Sequence, residues 1–404
     1  MELRSNAKTG WRSAWLPDSP LYLGILLMTV KVELAMNDLF AVSSLVDNAI
    51  TAAGMLIFLY YALRGWPDWK GMLLCGIGLC IIGVAAVRIR NFHLLITAMT
   101  VLALRNGDIK KAIRLIFSWK CLLFVAYILL SLVVHYKTGR PLGRIDNARF
   151  RFFIPSRFRF WFGYRSTTAP GDMLFALVLM WCYLHFGSIR KRDAAVIVGL
   201  STVCYMLCVS RMPYLLTLGT LAVVMFYQHR ENAPVLNAIA KWIVPALSVL
   251  FIGILLLYPN WSNFIWQLDE VLTHRMIRGA GWYSYHCMTL FGKSIQGIEL
   301  EDPTGRGLNM SILDCLYQNM AIWMGILPLV VICVCFYLLA KRKNTADNLM
   351  ICIWAVYSIC EASGLNCYLQ FVLILTAAAL PNIQGEGKTE WLPFPKKHKQ
   401  AKTE

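Results

Sequence analysis

Residues 121–136 read CLLFVAYILLSLVVHY and contain no lysine, arginine, aspartate or glutamate. They form most of an apolar run over 112–136. Such a run is long enough for one membrane-crossing helix, because about 20 apolar residues span the hydrocarbon core of a bilayer. Similar runs recur along the chain of 404 residues. The sequence therefore predicts an all-α polytopic membrane protein.

The overall composition supports the same class. Apolar residues make up 58% of the chain and charged residues only 15%, whereas an ordinary soluble domain has about 25% charged residues. The formal net charge is +17. A disordered nucleic-acid-binding chain is excluded, because such chains are poor in aromatic residues, which here reach 13%. The 13 cysteines form no CxxC pair and lie mostly in apolar runs, so we interpret them as packing residues.

Twelve apolar runs are candidate helices, and they predict a single transmembrane domain over 20–380 with about 12 crossings. The first run is weakened by Lys31 and Glu33. The seventh and eighth runs are separated only by Ser210–Pro213, where proline favours a break. The runs cover 20–36, 42–63, 71–87, 91–104, 112–136, 171–189, 194–209, 212–227, 242–258, 319–340, 348–361 and 365–380.

Positive residues indicate the orientation, because lysine and arginine in short loops are retained on the cytoplasmic side. If the polar tails 1–19 and 381–404 are both cytoplasmic, the short basic clusters fall on that side too. The first tail shows no cleavable secretory signal. We therefore predict a multi-pass protein with both termini in the cytoplasm. The supporting clusters are Arg64 and Lys70; Arg105, Lys110 and Lys111; Arg190, Lys191 and Arg192; Arg230 and Lys241; and Lys341, Arg342 and Lys343.

Two segments predicted on the other side, about 137–170 and 259–318, are long enough to be functional external loops. The first contains eight basic residues and one acid, Asp146, so it breaks the charge rule. Its alternation of arginine and phenylalanine over 149–162 also fits an interfacial segment that touches lipid headgroups. The second is rich in tryptophan and tyrosine, which predicts an ordered segment on the membrane surface.

Arginine on this side suggests that the protein binds an anion. A guanidinium group donates two parallel hydrogen bonds to phosphate and keeps its charge permanently. Arg211 stands between two nearly uncharged runs, and a charge at such depth generally faces a water-filled cavity. Snorkelling towards the headgroups is the alternative. The candidate phosphate-binding residues are Arg157, Arg159, Arg165, Arg211, Arg275 and Arg278.

Two carboxylates, Asp314 and Glu361, are expected at the same face as these arginines. Arginines and a carboxylate suit sugar transfer from a diphosphate: the arginines stabilise the leaving group, and the carboxylate takes the proton from the attacking hydroxyl. His274 and His286 are weaker candidates for a base or a hydrogen-bond donor. These loops contain no evident DxD element and the histidines are scattered, so we expect no metal and no cofactor.

Several short stretches stand in a fixed order along the chain: Arg159-Phe-Trp-Phe-Gly163-Tyr164, Ser210-Arg211, Leu272-Thr-His-Arg275, Leu290-Phe-Gly292, Leu313-Asp314-Cys-Leu-Tyr317 and Trp323-Met-Gly325-Ile326. This ordered set resembles the motifs of Wzy-type polysaccharide polymerases. It is most similar to the exopolysaccharide and capsule polymerases of the O-antigen polymerase and ligase superfamily. The resemblance covers about 155–375.

The resemblance implies a C-type glycosyltransferase membrane fold that acts at the outer face of the bacterial plasma (inner) membrane. Such an enzyme polymerises undecaprenyl-diphosphate-linked oligosaccharide repeat units into a surface polysaccharide and releases undecaprenyl diphosphate. The implied partners are the lipid-linked oligosaccharide, membrane lipids, a flippase and a chain-length regulator, with no nucleic acid.

The matched motifs also imply roles for single residues. Asp314, Arg211 and Arg275 are the predicted catalytic residues, with Asp314 as the base. The predicted substrate-binding residues are Arg157, Arg159, Arg165, Arg278, His274, Tyr317 and Glu361.

The chain departs from the family pattern in two places. Ser166–Thr168 replaces a His-Pro-Asn triplet, and Cys315 replaces an asparagine after Asp314. These changes leave open a different sugar specificity or a degenerate enzyme. Two other functions also stay open. A ligase would carry histidine where Asp314 stands, which argues modestly against it. A transporter or flippase of lipid-linked sugars commonly has internal repeats, and none is evident.

Overall fold

The computed structural model describes residues 19–39, 42–146, 157–230, 233–258, 260–272, 274–295, 297–298, 300, 310 and 313–381. The side chains of residues 144–146 and 157 also lie outside this description. The two predicted tails, 1–19 and 381–404, therefore lie outside the described residues except for Ser19 and Pro381. The same is true of Arg149 and Arg151 in the first predicted loop.

The described chain is mainly helical, and each of the twelve predicted runs overlaps a helix. The α-helices are α1 Pro20–Met36, α2 Ser44–Leu63, α3 Trp69–Ile89, α4 His93–Leu104, α5 Ile109–Thr138, α6 Ala169–Leu184, α7 Lys191–Cys208, α8 Arg211–Tyr227, α9 Pro234–Leu256, α10 Asn263–Val271, α11 Arg275–His286, α12 Leu316–Asn319, α13 Ile326–Ala340 and α14 Thr345–Cys360. A π-helical turn, Met320–Met324, follows α12, and the 3₁₀ helices Ala362–Leu365 and Phe371–Ala379 follow α14.

Four of the described helices, α2, α3, α5 and α9, are long and apolar enough to cross a bilayer by length and composition. Five shorter apolar helices, α4, α6, α8, α13 and α14, accompany them. These helices indicate a membrane protein, as the composition predicts. The number of twelve crossings stays a prediction, because α4 has only 12 residues and the last run forms 3₁₀ rather than α-helix.

Long and short helices occupy different places in the bundle. The long helices leave many apolar side chains exposed, such as Leu56, Val87 and Val249. An apolar surface of this extent is typical of a protein in contact with lipid. Most residues of the shorter α6 and α14 are buried instead. The shorter helices α6 and α14 are therefore packed inside the bundle.

The weak first run is stabilised by ion pairs. Glu33 in α1 and Lys120 in α5 are both about 1% exposed and form a buried salt bridge. Lys31 pairs with Asp47 of α2 at 3.3 Å. Because a buried charge is costly unless it is paired, these partners explain how charged residues are accommodated in apolar helices.

The first predicted loop contains a two-stranded antiparallel sheet, β1 Gly143–Asp146 and β2 Arg157–Phe160. Gly143 pairs with Phe160 and Asp146 with Arg157. The sequence predicts a loop here, without a strand. The reason for the strand is the alternation of arginine and phenylalanine, since successive strand residues point to opposite faces.

The two ends of the bundle can be distinguished by their contacts. At the end that we call the loop end, the backbone N–H of Arg165 donates to Met36 O at the end of α1 (3.1 Å). The side chain of Ser210, just before α8, donates to Thr168 O, just before α6 (3.3 Å). At the opposite end, which carries the short basic clusters and which we call the basic end, Tyr183 near the end of α6 donates to Asp347 at the start of α14 (3.0 Å). Since α6 and α14 are antiparallel, α14 ends at the loop end.

Two details of the charge distribution differ from the prediction. Arg88 and Arg90 lie at the far end of α3, away from the basic end, so the positive residues are not fully segregated. Lys241, predicted in a loop, lies inside α9, which begins at Pro234. Proline is favoured in the first turn of a helix because its fixed φ suits that turn and its missing N–H has no helical partner there.

Candidate functional site

Helices α10 and α11, which follow α9, are joined through one buried carboxylate, Asp269, which is 0% exposed. Its Oδ1 accepts hydrogen bonds from the backbone N–H groups of Met276 (2.8 Å) and Ile277 (3.1 Å), so it caps the start of α11. His274 precedes α11 with a positive φ of 61°. This capped start fixes the direction of Arg275, the first residue of α11.

Arg275 and Arg278, one turn apart on α11, both contact Asp314. Arg278 Nη1 donates to Asp314 Oδ2 at 3.2 Å, and Arg275 Nε lies 3.7 Å from the same oxygen. Arg275 Nη2 lies 3.6 Å from Glu361 Oε1, just after α14. The four side chains are only 12–27% exposed. Four residues predicted as site residues are thus brought together at the loop end, from three separate segments.

Asp172, in the first turn of α6, is not among the site residues predicted from the sequence. Asp172 interacts electrostatically with Arg275, Asp314 and Glu361. Its Oδ1 is inaccessible to solvent and has no hydrogen-bond partner among the described residues. A carboxylate next to an apolar run is the signal in the sequence that could identify it, since ionisable residues close to the membrane-spanning part commonly mark functional sites.

The two candidate histidines have different environments. His274 Nδ1 lies 3.3 Å from Asp269 Oδ2, so this side chain is held at the start of α11. His286 stacks on Trp282, with ring centroids 5.7 Å apart. Burial and the positive charge of Lys293 lower the pKa of His286, which favours its neutral form near pH 7.

Tyr317, predicted to bind substrate, is packed in the core. It is 0% exposed, its ring stacks on Phe251 (5.7 Å between centroids), and its hydroxyl donates to Ala355 O at 2.9 Å. Its polar atom is therefore already satisfied by the protein. We assign Tyr317 a role in positioning α12 against α14 rather than contact with substrate.

Arg165 and Arg211 also lie at the loop end, and neither forms an ion pair with the described side chains of Asp314 and Glu361. Arg211 is the exposed first residue of α8, next to Ser210, which packs against the start of α6. Arg165 is exposed as well, and Arg159 is half-buried in β2. The side chain of Arg157 lies outside the described residues. The roles of these four arginines stay predictions.

Two of the quoted stretches pack directly against each other. Lys293 N donates to Trp323 O and Ile326 N donates to Thr289 O, each at 3.0 Å. Gly292 and Gly325 meet at this contact with positive φ values of 74° and 102°. A Cβ on Gly325 would lie 2.3 Å from Gly292 N, so only glycine allows this close approach. The contact joins the middle of the second predicted loop, 259–318, to the start of α13.

The chemistry available to the cluster follows from its groups. Two guanidinium groups offer several donors to an anion, and three carboxylates offer proton acceptors. Among the described residues, no group of three histidine, cysteine, aspartate or glutamate side chains is arranged to hold a metal ion. The expected lack of a cofactor stays a prediction.

Comparison with protein-family models, with curated proteins and with solved structures gave no match to this chain.

Proposed function

We propose that this protein is a membrane glycosyltransferase that polymerises undecaprenyl-diphosphate-linked oligosaccharide repeat units at the outer face of a bacterial plasma membrane. The observation that carries the proposal is the cluster in which Arg275 and Arg278 pair with Asp314 and Arg275 also pairs with Glu361. The ordered motifs of the sequence support the same enzyme class. No metal has a step in the proposed reaction.

The arginines are held in place before any substrate binds. Their pairing with Asp314 and Glu361 restricts the rotamers of both side chains, and preorganised donors stabilise developing charge better than mobile ones. A diphosphate would take over the hydrogen bond from Arg278 that Asp314 Oδ2 now accepts. This exchange keeps the partly buried guanidinium groups paired with an anion, and it frees Asp314 to accept a proton.

In the proposed reaction, a hydroxyl of the acceptor sugar attacks the anomeric carbon of the donor glycan. The bond from that carbon to the diphosphate oxygen breaks, and its electron pair leaves with undecaprenyl diphosphate. Arg275 and Arg278 stabilise the charge that develops on this leaving group. The proton of the hydroxyl passes to a carboxylate of the site. The sequence prediction assigns that carboxylate to Asp314.

One observation favours the alternative of a transporter for the same lipids. The buried pair of Glu33 and Lys120 lies between apolar helices, and intramembrane ion pairs often belong to ion or substrate pathways. A ligase that passes the glycan to a different acceptor would use the same chemistry as the polymerase. The test below separates these three functions.

The test uses purified protein in vesicles loaded with undecaprenyl-diphosphate-linked repeat units. The polymerase gives a ladder of longer lipid-linked glycans and free undecaprenyl diphosphate. Movement of repeat units between leaflets without a ladder would support the transporter, and transfer only to an added second acceptor would support the ligase.

The orientation of the protein in the membrane is checked separately in intact cells, with a fluorescent tag placed in the 137–170 segment or in the 341–347 segment of the protein. The proposal requires the first segment outside and the second inside. Finding both segments in the cytoplasm would refute the proposed orientation.

A further inference from the structure

The short helix α10 carries an apolar stripe that the described part of the chain leaves largely uncovered. Phe264 is 71% exposed and Val271 is 77% exposed, and the partly exposed Leu268 lies between them. These three residues are spaced by four and three positions, so they share one face of the helix. Large apolar side chains that are exposed together commonly mark an interaction surface.

The position of α10 identifies the partner of this stripe. The indole nitrogen of Trp261, just before α10, donates to Ile254 O in the last turn of α9 (2.8 Å). Trp266 of α10 packs against Trp261, with ring centroids 5.2 Å apart. The helix α10 therefore lies beside the end of α9, one of the described helices that are long and apolar enough to cross a bilayer.

The exposed apolar surface of α9 extends to this place. Val249 and Leu256 of α9, and Leu257 just after it, are each more than half exposed. The ring of Tyr258 then lies 5.4 Å from that of Trp261. Tyrosine and tryptophan are enriched where a membrane meets water. The stripe of α10 therefore begins where the lipid-facing surface of α9 ends, and the bilayer is the partner that suits both.

The other side of α10 holds the first turn of α11. With 3.6 residues per turn, Asp269 stands about 140° around the helix axis from Phe264. Asp269 is buried, and its Oδ1 accepts hydrogen bonds from the backbone N–H groups of Met276 and Ile277. A shift of α10 would thus move the start of α11, where Arg275 pairs with the acids of the site.

We propose that α10 is an interfacial helix: its stripe of Phe264, Leu268 and Val271 inserts between lipid headgroups and acyl chains, and this contact holds Arg275 in place through Asp269. The partner is the lipid surface itself. Amphipathic helices bind at this depth through the apolar area that they bury. The membrane contact is independent of the reaction, whereas its effect on donor binding rests on the proposed function. A second copy of this chain is the competing partner.

The first measurement identifies the partner by photocross-linking in lipid nanodiscs. Phe264 is replaced by p-benzoylphenylalanine, an aromatic residue that inserts into nearby C–H bonds on irradiation. We expect lipid adducts at this position in mass spectra of the protein. Asn263, which is exposed on a neighbouring side of α10, is the matched control and should give few adducts. Adducts to a second protein chain, or no excess of lipid adducts over the control, would overturn the proposed contact.

The second measurement follows hydrogen exchange in nanodiscs at the backbone N–H groups of Met276 and Ile277. Loss of the lipid contact makes local opening easier, so Val271→Ser is expected to raise exchange there at least about fivefold. Val249→Ser is the matched control, because Val249 is 73% exposed but lies in α9. It should leave this exchange unchanged. If Val271→Ser does not fold, Val271→Ala takes its place. Equal exchange in the α10 and α9 variants would refute the coupling.

The third measurement links the contact to the proposed function. Phe264→Ser is expected to raise KM for the lipid-linked donor about three- to tenfold, and to change kcat less, because Arg275 is held less firmly. Val249→Ser should keep the KM of the wild type. An unchanged KM in Phe264→Ser would refute the effect on donor binding. An inactive wild-type protein would refute the proposed function, whereas the cross-linking and exchange results would still decide the membrane contact.

Discussion

Basic residues gather at both ends of this bundle, but their partners differ. At the basic end, Arg105 donates to Ala62 O at 2.7 Å and lies 3.8 Å above the ring of Trp66. Arg230 lies 3.9 Å above Phe226. At the loop end, Arg275 and Arg278 contact carboxylates instead. The first kind of partner is a helix end or an aromatic ring, and the second is an acid that an anion could displace.

This difference teaches that the number of arginines does not locate a binding site. A guanidinium on a helix C-terminal carbonyl is satisfied by the fold and complements the helix dipole. A guanidinium group that is paired with a partly buried carboxylate can bind another anion in place of that carboxylate and so remain ion-paired. A count of charged residues does not distinguish the two ends. Their partners do, because the arginines at the basic end stabilise the bundle, whereas Arg275 and Arg278 at the loop end pair with acids that a substrate could replace.

The largest expected effect concerns the buried pair between the two ends. Lys120→Met leaves Glu33 buried without a partner, so we expect the free energy of unfolding to fall by about 3–5 kcal/mol. Thermal unfolding in detergent measures this loss. The double variant Lys120→Met with Glu33→Gln should recover much of it. Unchanged stability with lost activity would instead assign the pair to function and favour the transporter.

The next effect tests the loop end directly. Arg275→Ala removes a donor to the developing charge, so we expect about a 10²–10³-fold loss of polymer formation per folded molecule. The activity of Arg275→Lys should lie between that of the wild type and that of Arg275→Ala, because lysine keeps the charge but not the planar fork of the guanidinium group. Arg230→Ala at the basic end is the matched control and should keep full activity. Equal losses of activity in Arg275→Ala and Arg230→Ala would contradict the proposal that only the loop end takes part in the reaction.

A smaller effect is expected on stability at the basic end. Arg105 is 2% exposed and joins the ends of α2 and α4 through its hydrogen bonds to Ala62 and Arg64 carbonyls. Arg105→Ala should lower the free energy of unfolding by about 1.5–3 kcal/mol, the range for hydrogen bonds that involve a charged group. Activity per folded molecule should not change. A specific loss of activity without destabilisation would contradict the anchoring role.

The smallest effect is expected for Arg211, whose side chain is exposed and forms no ion pair with a described residue. Arg211→Ala should raise KM for the lipid-linked donor by about two- to fivefold at low salt, and by less at high salt, because exposed charges are screened. Donor titrations at two ionic strengths measure this. A loss above about 100-fold would place Arg211 in the catalytic cluster, as the sequence prediction has it.

Much of the helical layout could be predicted from the sequence, because apolar runs are local signals. The break between α7 and α8 at Ser210 is confirmed, and so is the helical character of the runs. The sequence does not predict the start of α9 at Pro234, since the first residues of this helix are less apolar than the run that follows. It does not predict the strand pair either, because the alternation of arginine and phenylalanine fits an interfacial loop equally well.

The candidate site was predictable only in part. Arg275, Arg278, Asp314 and Glu361 were each named from sequence, yet nothing in their spacing shows that they touch. Asp172 is not predicted from the sequence, because an acidic residue in the first turn of a helix is common and does not by itself indicate a site. Tyr317 was named as a substrate contact, although its hydroxyl is taken by Ala355 O.

The sequence alone determined that this is a chain of apolar helices with a strong positive charge and a few acids. That follows from hydrophobic periodicity and composition, which depend on neighbouring residues only. Tertiary structure alone decided which charges meet: Glu33 with Lys120 inside the bundle, and Arg275 with acids from two distant segments. Ion pairing depends on distances of a few ångströms between helices, and packing of the whole bundle sets those distances.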